Sequence, residues 1–125
     1  MSFCAHIVAL LLYLSGLCLS AAPKTNLVEL YHGIAEGNYL GGDLAGAERG
    51  IEQMIRIEPD YLPALTLKAR VMLDQNKPAK ALAAADRAIA LDPENHEHSL
   101  LKVLALGHTD RLDEATTLIQ EILAK

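Results

Sequence analysis

The sequence of 125 residues contains no tryptophan, a single phenylalanine and only two cysteines. Both cysteines, Cys4 and Cys18, lie within the first 22 residues, so a chain that has lost this segment contains no thiol. Disulfide formation and thiol redox chemistry are therefore excluded for the rest of the chain. The alternation of polar and apolar residues that marks a half-buried strand is also missing, which predicts an all-α fold.

Basic residues are fewer than acidic residues and form no cluster. The chain has 11 Lys and Arg side chains against 16 Asp and Glu, and its formal net charge is -5. Nucleic acids and anionic lipid surfaces bind proteins through basic patches. The composition therefore predicts that the partner is neither a nucleic acid nor an anionic membrane surface.

The amino-terminal segment is an apolar leader with no charged side chain before Lys24. Residues 5–19 are almost all apolar, and residues 20–22 (Ser-Ala-Ala) are of the small type that signal peptidases accept. The apolar run is shorter than the roughly 20 residues that a membrane-spanning helix needs. We therefore predict a signal peptide over residues 1–22 and an exported protein, periplasmic or secreted; a membrane anchor is the alternative.

The rest of the chain repeats with a period of 34 residues. Glu58-Pro59 and Asp92-Pro93 lie 34 residues apart, and small residues recur at the same spacing around them. A period of this length is typical of units that bury their apolar faces only by stacking on one another, and such arrays usually serve binding. The small residues form two columns: Ala35, Ala69, Val103, and Ala47, Ala81, Ala115.

Apolar spacing, capping residues and proline or glycine breaks predict two helices in each unit. Asn26 followed by Glu29 fits a capping box at the start of the first helix. The predicted helices cover residues 25–37, 44–57, 61–74, 78–90, 94–106 and 110–125. Six of the eight glycines fall between Gly33 and Gly50. Because glycine disfavours helices, the first unit is predicted to be the least stable.

These units resemble the tetratricopeptide repeat family, which has small residues at both columns and proline at the end of the second helix. The resemblance covers residues 28–125 as three units, 28–61, 62–95 and 96–125, within a domain spanning 23–125. It implies three antiparallel helix hairpins stacked as a short right-handed superhelix with a concave groove. The family's large aromatic residue in the second helix is replaced here by Ile51, Ala85 and Ile119.

The resemblance also implies a partner-binding groove lined by the first helix of each unit. Its wall would be acidic at one end and apolar at the other, which suits an amphipathic or basic peptide segment. We therefore expect a non-catalytic adaptor or scaffold protein that holds a segment of an envelope or secretion-system protein. The residues expected in the groove are Glu29, His32, Glu36, Tyr39, Thr66, Arg70, Leu73, Leu100, Leu104 and His108.

Catalytic and metal-binding motifs are scarce. His96 and His98 are two residues apart, which places their rings on opposite sides of a helix, and we interpret them as a solvated helix start. His32 and Glu36 share a helix face but lack a third ligand. We expect neither a cofactor nor a metal, and we expect no enzymatic activity.

Two further hypotheses concern the ends of the chain. The protein could be a cytoplasmic chaperone of a secretion substrate, with residues 5–19 forming part of the fold instead of a cleaved leader. Small repeat proteins of similar architecture do such work. At the other end, the last helix carries an apolar strip that predicts self-association or docking through Ile119, Ile122 and Leu123.

Overall fold

The computed structural model describes Ile7 and residues 24–125, and the latter form six α-helices without a strand among them. This confirms the all-α prediction. The predicted leader at residues 1–22, with both cysteines, lies outside the described residues apart from Ile7. In the described part of the chain, no helix combines the length and the apolarity needed to cross a membrane. The helices are α1 (Lys24–Leu40), α2 (Leu44–Ile57), α3 (Leu62–Asp74), α4 (Pro78–Leu91), α5 (His96–Gly107) and α6 (Leu112–Leu123).

Side-chain caps and prolines fix most of the helix starts. Asp43 caps α2 by accepting a hydrogen bond of 2.9 Å from the Gly46 N–H. Asn95 caps α5 by accepting one of 3.0 Å from the Glu97 N–H. Pro78 is the first residue of α4, where a proline costs no hydrogen bond. The Asn95 cap explains why α5 begins at His96 and not at the expected residue 94.

The capping-box prediction for the first helix is wrong. The structure describes this helix from Lys24, so Asn26 lies inside it and does not cap it. The helix also continues to Leu40, three residues beyond the predicted end. Gly33 and Gly37 lie inside α1 and do not end it, because a glycine lowers helix stability without removing the backbone hydrogen bond.

The turn inside each hairpin uses one left-handed residue at the same repeat position. Gly42, Asn76 and Asp110 have φ angles of 84°, 57° and 56°. Glycine has no steric penalty there, and Asn and Asp are among the few other residues that adopt this conformation readily. The three turns are therefore equivalent although their sequences differ.

The helices pack in hairpins, and the hairpins stack. Within each unit α1 packs on α2, α3 on α4, and α5 on α6. Successive units meet where α2 contacts α3 and α4 contacts α5. The first helices also touch in order, α1 against α3 and α3 against α5, so they lie side by side along one surface of the array.

Small residues occupy the centres of these contacts. Ala35, Ala47, Ala69 and Ala81 are fully buried, and Ala115 is nearly so. The main core cluster consists mostly of residues of the first two units, among them Ile51, and also includes Ala105 of the third. A second cluster joins the second and third units. Only a small side chain lets two helix backbones approach closely, which is why these positions recur through the sequence. The second cluster consists of Ala69, Ala84, Ala85 and Leu101.

Three helical glycines of the first unit, Gly33, Gly37 and Gly50, fall into two groups. A Cβ atom at Gly50 in α2 would lie 2.8 Å from the Ala35 Cβ atom in α1, so glycine is required for the close approach of these helices. A Cβ atom at Gly33 or Gly37 would meet nothing within 4 Å. Glycine is therefore needed for packing at Gly50, whereas at Gly33 and Gly37 it makes no close contact among the described residues and weakens α1.

These two groups predict opposite responses to alanine. Gly33→Ala and Gly37→Ala should each raise the free energy of unfolding by about 0.5–1 kcal/mol, because alanine favours the helix. Gly50→Ala should lower it by about 1–3 kcal/mol, because the added methyl group overpacks the contact with Ala35. Urea unfolding followed by circular dichroism measures both effects. A stabilising effect of Gly50→Ala would contradict the packing of α1 on α2.

Candidate partner-binding groove

A cleft of about 270 Å³ opens on the surface formed by the first helices. We call it the groove cleft. Residues of α1 form one side, residues of α3 form the floor, and the start of α5 forms the other side. It is lined by His32, Glu36, Leu62, Pro63, Thr66, Leu67, Arg70, Asn95, Glu97 and His98.

The groove cleft contains four of the ten residues expected to bind a partner: His32, Glu36, Thr66 and Arg70. His32 and Glu36 share one face of α1, and Thr66 and Arg70 share one face of α3. Their four-residue spacing places them on adjacent turns, so the contact between α1 and α3 brings both pairs to the same cleft. The repeat period and the contact between first helices together explain this grouping.

The other expected residues lie elsewhere. Tyr39 and Leu73 are partly buried and pack against the main core cluster, and Glu29 is exposed near Tyr61. Leu104 and His108 line a different cleft, of about 450 Å³, between α5 and α6. Leu100 is exposed and lines neither cleft.

The second of these clefts is here called the end cleft, because it lies at the last hairpin. Its lining is mostly apolar and includes Ile119, one of the residues expected to support self-association. The residues expected to form one wall are thus divided between an acidic cleft near α1 and an apolar cleft near α6. The end cleft is lined by Val103, Leu104, Gly107, His108, Leu112, Ala115, Thr116 and Ile119.

His98 is a buried part of the groove cleft, so its interpretation as a solvated helix start is wrong. Its side chain is only 1% exposed, and its Nε2 atom lies 3.0 Å from the Thr66 Oγ1 atom. The Thr66 hydroxyl donates to the Leu62 carbonyl oxygen at 3.0 Å, so its own proton is used. Thr66 therefore accepts from the His98 Nε2–H, and the Nδ1 atom of His98 has no partner among the described residues.

The repeat pattern could have identified His98 as buried. It lies 34 residues after Ala64, which is fully buried in the second unit. Asn95 and Glu97 were also not expected in the groove. They line it because they lie at the start of α5, which forms one side of the cleft. His96, two residues before His98, is exposed as expected.

Charged groups make the groove cleft acidic. Arg70 in α3 forms an ion pair with Glu97 in α5, and both side chains are partly exposed. Glu36 adds a second carboxylate from α1, so the cleft has two carboxylates and one guanidinium group. Near the Glu36 side, the His32 ring packs edge-on against Tyr61, with 6.2 Å between the ring centroids. The arrangement fits a basic group on a partner, because such a group would balance the excess carboxylate.

Two tyrosines beside the groove cleft have raised pKa values. Burial raises the pKa of Tyr39, and the Asp74 carboxylate raises it further by accepting a hydrogen bond and by its charge, while Arg70 opposes this shift. Burial also raises the pKa of Tyr61, with the charges of Glu29 and Glu58 adding to the effect. Both phenols therefore remain neutral over a wider pH range than free tyrosine.

Another cleft, of about 360 Å³, lies between α2, α3 and α4. It is called the outer cleft here. Its charged lining residues are two acidic and three basic, so it lacks the acidic excess of the groove cleft. They are Glu48, Glu52, Lys68, Lys80 and Arg87.

Metal binding has no support in the described part of the chain, where no group of three or more His, Cys, Asp and Glu side chains is placed to hold an ion. The His96 and His98 pair illustrates why. One ring is exposed and the other is buried against Thr66.

The family model of the tetratricopeptide repeat matches residues 39–102, which is just over half of the chain. The chain belongs to the tetratricopeptide repeat family. The matched segment contains α2 to α4 and most of α5, and therefore both joints between units. Tetratricopeptide repeats generally bind protein partners, so the family supports an adaptor role.

A solved structure with the same fold is a mutant of the Thermobaculum terrenum O-GlcNAc transferase. It matches with a TM-score of 0.69 and 21% sequence identity over 81% of this chain. The chain spans only 20% of the transferase chain, so this likeness shows the tetratricopeptide fold alone. No curated protein sequence matches the chain significantly.

The tyrosine environments predict a pair of selective pKa changes. Asp74→Asn should lower the pKa of Tyr39 and leave that of Tyr61 unchanged, whereas Glu29→Gln should lower the pKa of Tyr61 alone. NMR titration of carbon-labelled tyrosine measures both values. A change of the Tyr61 pKa in Asp74→Asn would contradict the separation of these sites.

The raised pKa values also set the direction of the pH dependence of stability. Their stabilising contribution is fully present below the unfolded-state pKa of about 10 and is lost as pH rises through the folded-state values. Wild-type stability should therefore fall above about pH 10. The fall should be smaller in Tyr39→Phe.

Proposed function

We propose that this tetratricopeptide repeat protein is a non-catalytic adaptor that holds a peptide segment of a partner protein in the groove cleft. The observation that carries the proposal is the excess carboxylate, with Glu36 facing the Arg70–Glu97 pair across a cleft between three first helices. A peptide that presents a lysine or arginine side chain fits this charge.

The lining of the groove cleft also supports an amphipathic partner. Leu62 and Pro63 contribute apolar surface from α3, while the carboxylates lie on α1 and α5. A peptide with alternating apolar and basic residues would place the apolar side chains on α3 and the basic group near Glu36. The pre-formed contacts between His98, Thr66 and Leu62 limit the ordering cost of binding.

Catalysis is not part of the proposal. The segment that matches is only 20% of the transferase chain, and the rest of the transferase has no counterpart in the match. A shared helical array at 21% identity carries no information about that activity.

Self-association through α6 is a separate proposal. Its apolar strip lies by the end cleft, away from the acidic groove cleft. The two surfaces share no lining residue, so binding of a peptide and self-association can be tested independently.

Charge reversal at Glu36 tests peptide binding. Leucine-rich amphipathic peptides that carry two lysines are titrated against the protein and compared with the same peptides carrying glutamates. The lysine peptides should bind more tightly. Glu36→Lys should weaken their binding about tenfold, which is about 1.4 kcal/mol, without changing the unfolding transition, because Glu36 is exposed.

Glu52→Lys is the matched control, since Glu52 is also exposed and lines the outer cleft. It should leave peptide affinity unchanged. An equal loss in both variants would assign the effect to net charge alone. A loss confined to Glu52→Lys would transfer the binding site to the outer cleft, and unfolding by Glu36→Lys would contradict the position of the groove.

We further propose that the protein is exported, with residues 1–22 as the signal peptide and its partner in the cell envelope. The alternative is a cytoplasmic chaperone of a secretion substrate that keeps residues 5–19 as part of its fold. The mass and compartment of the protein in its own host separate the two. Export predicts a mass short by residues 1–20 or 1–22 outside the cytoplasm, whereas a full-length cytoplasmic protein would support the chaperone.

A further inference from the structure

The first helix exposes a face that the equivalent helices bury. In α1, Leu30 is 59% exposed, and Gly33 and Gly37 are exposed as well. One and two repeat periods later, every residue at these positions is buried. Those residues are Ala64, Leu67, Val71, His98, Leu101 and Ala105.

The buried counterparts pack against the preceding unit. Leu67 belongs to the same core cluster as Ala35 and Ile51 of the first unit. Leu101 belongs to the same cluster as Ala69 and Ala85 of the second unit. The exposed face of α1 is therefore one half of a joint that occurs twice inside the chain. We call it the head face, defined by Leu30, Gly33, Ile34 and Gly37.

The end cleft is the other half of that joint. Val103 and Ile119 lie one period after Ala69 and Ala85, the residues that receive Leu101. They line the open end cleft, and Ile119 is 40% exposed, whereas its counterpart Ile51 in the first unit is 1% exposed. Within residues 24–125, no further helix covers this cleft.

The sizes of the side chains at the two ends are complementary. Inside the chain, a leucine from the following unit packs beside a small alanine in each joint. In the end cleft, the position of that alanine is occupied by the larger Val103. On the head face, the position of that leucine is occupied by Gly33, which has no side chain. A Cβ atom at Gly33 or Gly37 would meet nothing within 4 Å, so the head face is open to another helix surface.

We propose that copies of this chain associate head to tail, with the head face of one copy packed in the end cleft of the next. The contact continues the internal joints, so each added copy extends the array by three units. Such a contact is heterologous: each copy offers two different surfaces and retains one free surface of each kind at the ends of a chain of copies. The contact uses no residue of the groove cleft and is independent of peptide binding.

Light scattering coupled to size-exclusion chromatography tests the proposal over a range of protein concentrations. The protein is isolated from its own host, so that its amino terminus is the natural one, and its mass is recorded. The wild-type molar mass should rise from one copy to two or more with concentration. Leu30→Glu and Ile119→Glu should each remain monomeric at concentrations where the wild type associates. In each variant, every contact between two copies would include one altered surface.

An equimolar mixture of these two variants distinguishes the geometry. Leu30→Glu keeps an intact end cleft and Ile119→Glu keeps an intact head face, so the mixture should form a complex of one copy of each and nothing larger. Leu40→Glu is the matched control. Leu40 lies on the same helix, and its position is exposed in all three units, so this variant should associate like the wild type.

Several results would overturn head-to-tail association. A wild-type protein that stays monomeric at all concentrations would overturn it. This also applies if the protein stays monomeric because residues 5–19 are retained and cover the head face. If Leu30→Glu associates as strongly as the wild type, the contact is a two-fold one between α6 helices. If the equimolar mixture of Leu30→Glu and Ile119→Glu forms no complex, the head-to-tail arrangement is wrong. If Ile119→Glu loses its helical circular dichroism, Leu112→Glu replaces it, because Leu112 lines the same cleft and is 60% exposed.

Discussion

Close approach of helices at small residues is the constraint on which this structure depends. Ala35 faces Gly50 so closely that a single added carbon would approach the Ala35 Cβ atom to 2.8 Å. Fully buried alanines occupy the corresponding contacts in the second unit. With few aromatic side chains available, the chain gains its packing density from short distances between helices instead of from large residues. The same distances align the first helices along one surface.

That alignment creates the groove cleft and also explains its mixed character. The first helices touch in sequence, so side chains from three units meet although they are far apart along the chain. His98 occupies a position that the stack requires to be buried, and its hydrogen bond to Thr66 connects the third unit to the second. The carboxylates Glu36 and Glu97 remain at the rim, where they are accessible to a partner. The residues that the packing requires and the surface proposed for binding thus lie on the same helices.

The outermost described helices, α1 and α6, each carry half of a joint that no other described helix completes. The head face and the end cleft differ from their internal counterparts in size, with glycine at one end and valine and isoleucine at the other. Internal positions are constrained by two neighbours, whereas end positions are constrained only by what covers them. The two surfaces proposed for self-association are in this respect different from the acidic groove cleft.

The sequence by itself determined the period, the six helices of residues 24–125 and most of the buried small residues, because the same packing positions recur in each unit. Val103 is the exception, since it is only half-buried. The resemblance to the tetratricopeptide repeat family placed His32, Glu36, Thr66 and Arg70 on a common surface, and their four-residue and 34-residue spacings agree with that placement. The tertiary structure alone decided that Leu104 and His108 line a separate cleft and that Asn95, Glu97 and His98 complete the groove cleft. Which side chains meet at a cleft depends on the distances between helices. The spacing of residues along one helix does not determine those distances. The capping-box error at Asn26 has the same origin, because a helix start depends on which backbone groups are satisfied in the folded chain.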